Sequence, residues 1–112
     1  MPANARRGEV AANLDGKDYR LCLTLGALAE LESALGAGDL VTLGERFSTG
    51  RLSAKDMIAV IAAGLRGAGN TISNNDVAAM QVSGGLETYA KIVADLLLAT
   101  FGSAESQVSA NP

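Results

Sequence analysis

Histidine and tryptophan are both missing from this 112-residue chain, and cysteine occurs once. Without an imidazole the chain cannot build a Ser-His-Asp or Cys-His arrangement, and it lacks the commonest transition-metal ligand. Cys22 alone cannot close an internal disulfide. It has no neighbouring base, only Arg20 two residues away, and so reads as an ordinary half-buried thiol. Positive charge is also scarce: 9 basic residues stand against 12 acidic ones, and only Arg6 and Arg7 are adjacent. A phosphate backbone needs clustered cations that displace counterions, so nucleic acid is not an expected partner. Long apolar runs are absent. The longest candidate, Ile92 to Phe101, contains Asp95 and falls well short of the ~20 residues of a membrane span. The start, MPANARRGEV, has no apolar signal core. We expect a cytoplasmic, non-enzymatic protein without cofactor or metal, in contact with neither nucleic acid nor membrane.

What is present is mostly alanine and leucine within a 48% apolar share, residues that favour helix. A chain of this length makes one domain that buries roughly two-thirds of its unfolded surface. In YRLCLTLGALAELESALG, residues 19–36, apolar residues recur at every second position through Leu23. From Leu25 they recur every third or fourth, at Leu28, Leu31 and Leu35. A strand therefore runs directly into an amphipathic helix, both facing one interior.

Upstream, Asp15-Gly16 is the dipeptide that most readily takes the positive φ of a two-residue hairpin turn. Placing Leu14 opposite Lys17 sets Ala12 against Tyr19 and Val10 against Leu21. That register gathers Val10, Ala12, Leu14, Tyr19, Leu21 and Leu23 on one face, which helices must cover.

Thr24 is placed to cap the first helix and Gly36 to end it. Asp39 caps a short second helix carrying Leu40, Leu43 and Phe47, which ends at Ser48-Thr49-Gly50. Ser53 with Asp56, and Ser73 with Asp76, form two capping boxes, each with an apolar residue outside the cap and another at the fourth helical position. The third helix carries Met57, Ile58, Ile61 and Leu65 into a glycine-rich end at Gly64–Gly69. The fourth carries Val77 and Met80 as far as Gly84-Gly85, and the last runs from Leu86 to Phe101. The expected fold is mainly α (α+β): a two-stranded N-terminal β-hairpin on a bundle of about five short helices. It occupies residues 8–102, between a flexible lead-in (1–7) and a disordered tail (103–112).

GLRGAG closes a helix and lacks the Gly-Lys-Ser/Thr of a phosphate loop. Read as a calcium loop, Leu65–Asp76 places Leu65, Gly67 and Gly69 at three ligand positions, with no side-chain oxygen among them. The acidic residues are accounted for as caps or solvated faces. One surplus remains. Leu96-Leu97-Leu98, with Ile92, Val93 and Phe101, covers more of the last helix than the ~100° a surface helix needs. By default that helix is central and covered on both sides. Alternatively, Ile92, Val93, Leu96, Leu97, Leu98 and Phe101 are offered to a partner.

The order GEVAANLDGKDYRLCLTLGALAELESALG, ERFSTGRLSAKDMIAVIAAGLRGAG, ISNNDVAAM and a leucine-rich helix ending in ATFG resembles the small tail-assembly proteins of gene transfer agents and related prophages. These are grouped with phage tail assembly chaperones, and the resemblance covers residues 8–102. It implies binding of the tape-measure protein, whose apolar helices are kept soluble until the tube forms, and it implies no catalytic residues. The family is also described as a tube component, which a single short hairpin supports less well. A structural tail component, and a helical adaptor with a degenerate calcium-hand loop, are the alternatives.

Overall fold

The computed structural model describes residues 8–49 and 51–102, so the expectations for segments 1–7 and 103–112, and for Gly50, fall outside the described residues. Strands β1 (Glu9–Leu14) and β2 (Lys17–Cys22) form an antiparallel hairpin, followed by helices α1 (Leu25–Leu35), α2 (Leu40–Ser48), α3 (Ala54–Gly67), α4 (Asn74–Ala79) and α5 (Leu86–Leu97). The hairpin register is the expected one: Leu14 faces Lys17, Ala12 faces Tyr19 and Val10 faces Leu21. Asp15 and Gly16 both take positive φ, 57° and 79°, the turn that matches strand twist. Leu14, Leu21 and Leu23 are buried.

The starts of α1 to α4 follow their local chemistry, whereas α5 begins at Gly85 without a side-chain cap. Thr24 Oγ1 accepts from the Ala27 amide at 3.1 Å, and Asp39 Oδ1 accepts from the Thr42 amide at 2.7 Å. Both capping boxes close reciprocally. The Ser53 amide donates to Asp56 and the Asp56 amide to Ser53 Oγ, each at 3.1 Å; Ser73 and Asp76 repeat the pattern. α1 ends on Gly36 in the left-handed region.

The centre of the fold is α3. Residues 59–65 are all buried, and at about 100° per residue such a run covers the whole circumference. β2, α1, α4 and α5 pack around it. The default expectation that the last helix is central is therefore corrected, because α3 is enclosed and α5 is peripheral. Small side chains are the reason: Ala59, Ala62, Ala63 and Gly64 let neighbours approach from every direction.

Three further expectations are corrected. Leu25 is 76% exposed; lying six residues before Leu31, it sits about 120° round the helix from the buried stripe. α4 stops at Ala79 rather than near Gly84, because Met80 turns extended and the Gln81 carbonyl accepts from the hairpin-turn amide of Asp15 at 2.8 Å. α5 ends at Leu97 and widens into a π-helical turn over Leu98–Gly102, where Thr100 Oγ1 donates to the Leu96 carbonyl at 2.7 Å.

Candidate functional site

The expected loop between α3 and α4 is organised by the chain's own cation. Arg66 Nη1 donates to the Ile72 carbonyl at 2.9 Å and to Asn74 Oδ1 at 3.2 Å, while its Nη2 pairs with Glu30 at 2.6 Å. A guanidinium spanning this loop makes it a structural clamp between α1, α3 and α4. No group of three metal-capable side chains occurs among the described residues. No described helix is long and apolar enough to cross a membrane.

The apolar surplus of α5 divides in two. Ile92, Val93 and Leu96 are buried in the chain's own core, Val93 at the base of the groove described next, so docking a client directly on Ile92 and Leu96 would require prising α5 from α3. Leu97 and Phe101 are half-buried and Leu98 is 66% exposed, and all three line an open groove of about 590 Å³ between α5 and α2. The π turn brings Phe101 beside Phe47 of α2, ring centroids 6.4 Å apart and tilted by 48°, which closes the floor at that end. Leu86, 67% exposed, stands at the start of α5 on the same groove.

The hollow exists because Gly44 on α2 and Ala90 and Ala94 on α5, all lining it, are too small to fill it. Leu86, Ala90, Ala94, Leu97 and Phe101 recur at spacings of three and four, so a continuous apolar stripe of α5 and its π turn faces the groove. Sequence reading missed the α2 wall and Leu86. The signal available was Phe47 beside Gly44 on a two-turn helix too short to be covered along its length. A smaller apolar hollow of about 290 Å³ lies between α3, α4 and α5, lined in part by Met80 and Tyr89. It shares Met57 and Leu86 with the larger groove, so a flexible methionine separates the two. On the outer side of α5, Lys91 and Asp95 form an exposed pair at 2.8 Å that keeps that face wet. The site can hold an apolar helix or strip, and it carries no acid-base constellation.

Compared with known families, residues 7–103 match the family described as phage tail tube protein, GTA-gp10. No curated protein and no solved structure matches the chain.

Proposed function

The chain belongs to the GTA-gp10 family of phage tail tube proteins, a family of tail structural proteins and not of enzymes, and on that premise we propose that it works in tail assembly as a chaperone, holding an amphipathic helix of the tape-measure protein in the α2–α5 groove. The observation that carries this reading is the exposed apolar lining, Leu86 and Leu98 above all, around a hollow that glycine and alanine leave unfilled. An amphipathic helix laid into such a groove buries its apolar stripe against both walls. Exposed leucines grouped around one hollow support an interaction site there, and Met57 at the groove's margin would let it adapt to more than one client segment.

A second reading keeps the protein in the finished tail, and the description of the family as a tube protein favours it. Co-expression with the tape-measure chain, followed by a search for both proteins in purified particles, separates the two. The chaperone reading expects a soluble complex with the tape-measure chain, lost on Leu98→Ser, and no copies in finished particles. Stoichiometric retention in the particle would replace it with the structural role.

A further inference from the structure

Both walls of the α2–α5 groove carry a carboxylate at the solvent edge. On α2, Gly44, Phe47 and Ser48 line the hollow while Leu43 is buried; Glu45 lies about 100° round the helix from Gly44, on the side away from Leu43. On α5, Glu87 comes two turns before Ala94 and almost in line with it, about 180° round from the buried Leu96. Both glutamates are exposed, and among the described residues neither carboxylate has an ion-pair or hydrogen-bond partner. The neighbouring cations are placed differently. Arg46 turns to Asp56 at 3.5 Å and Lys91 is held by Asp95 at 2.8 Å, so both are balanced within the chain. Arg51, beside Leu52 in the linker from α2 to α3, has no ion pair among the described residues, which leaves one free cation against two free acids.

We propose that the groove selects a basic client: an amphipathic helix whose apolar stripe is bordered on both sides by lysine or arginine, with Glu45 receiving a cation on the α2 side and Glu87 one on the α5 side. The inference rests on the reading of the groove as a client site and adds the chemistry of the client's flanks. An occupant that buries its apolar stripe between the walls brings its flanking side chains against the two rims. There a lysine or arginine meets an unpaired carboxylate that the client itself partly shields from water, whereas an aspartate or glutamate meets a like charge. The methylene stems of those cations would also cover the exposed Leu86 and Leu98. The same charges disfavour an anionic lipid surface, and they disfavour a second copy of this chain, which carries 12 acidic residues against 9 basic ones.

Overlapping peptides covering the tape-measure chain, probed with the labelled full-length protein, test it. Peptides captured by the parent and lost on Leu98→Ser are the ones that use the groove, and these should carry lysine or arginine on both borders of an apolar helical stripe. The double variant Glu45→Lys, Glu87→Lys should weaken their binding about tenfold at low salt, with a smaller loss as salt rises. It should also bind more tightly than the parent to the same peptides resynthesised with glutamate in place of the bordering cations. Glu87 lies in the first turn of α5, where a negative charge also complements the helix dipole. Glu45→Lys alone, in the second half of α2 where a cation is tolerated, should weaken binding about threefold and keeps the test intact if the double variant loses its circular dichroism. Groove-dependent peptides with neutral or acidic borders, or basic ones that bind both glutamate variants unchanged, would overturn the inference and leave the client reading standing. If every basic peptide is still captured by the Leu98→Ser variant, the attraction is to the protein's overall charge and the inference falls. The absence of any groove-dependent peptide would remove the client reading and the inference together.

Discussion

Helices α3 and α5 are of similar length and both strongly apolar, yet α3 is enclosed on every side while α5 keeps an open flank. The difference lies in side-chain size. The middle of α3 is built from Ala59, Ala62, Ala63 and Gly64, so a strand and three helices can approach its axis. At Gly64, an added Cβ would stand 2.7 Å from Leu96 Cδ2 and 3.2 Å from Leu21 Cβ, showing the hairpin and α5 meeting at one point of the helix. α5 and the π turn after it instead carry Leu86, Leu97 and Leu98 beyond the arc that α3 and β1 can cover. Apolarity recruits a helix to the core; small residues decide whether it becomes the centre.

The largest contrast is expected where α5 passes into the π turn. Leu96→Ala, at a site with 0% exposure, should cost about 3 kcal/mol in chemical denaturation, because it removes packing and leaves a cavity beside Gly64. Leu98→Ala, two residues on, should change stability by no more than about 0.5 kcal/mol while weakening client binding. Equal costs at the two sites would mean that the open flank is closed in solution by the protein itself.

A smaller effect tests the closeness of α3 to the hairpin. Helix propensity alone says Gly67→Ala should stabilise by up to about 1 kcal/mol. Contact says the reverse, since the new methyl would strike the Cys22 carbonyl, a backbone atom that cannot rotate away. We expect a net loss of about 2 kcal/mol in denaturation midpoint analysis. A gain would show that the edge of β2 is looser than its packing against α3 indicates.

Local chemistry was legible in the sequence and burial was less so. Asp15-Gly16 fixed the turn and therefore the pairing of Val10 with Leu21; Ser53 and Ser73 fixed two helix starts. Each of these depends on atoms within a few residues. The end of α4 was not legible, because the competing partner of Gln81 is the amide of Asp15, remote in sequence. The groove was half legible: the leucines of α5 announced a surplus, but which of them faced inward depended on where α3 lay. Counting apolar residues pointed to α5 as the centre, whereas the alanine and glycine run of α3 carried the information.

The smallest effect separates the centre from the periphery by pH. Asp39 at the start of α2 is held below its ordinary value of 3.8, chiefly by the hydrogen bond from the Thr42 amide. Asp76 at the start of α4 is lowered in the same way by the Ser73 amide. Those bonds favour the carboxylate. A folded-state pKa below the unfolded one contributes stability that is fully present above about 3.8 and is lost as pH falls through the lower folded value. Replacing both with asparagine preserves a neutral cap and deletes the titration. Above the window the parent should therefore be slightly more stable than the Asp39→Asn, Asp76→Asn double variant, and the two should converge as acid neutralises the carboxylates. Hydrogen exchange should place the acid-induced loosening in the first turns of α2 and α4, with the buried amides of α3 still protected. A difference between parent and variant that does not change with pH would mean the caps act by shape alone, and loosening that begins in α3 would contradict its place as the enclosed centre of the fold.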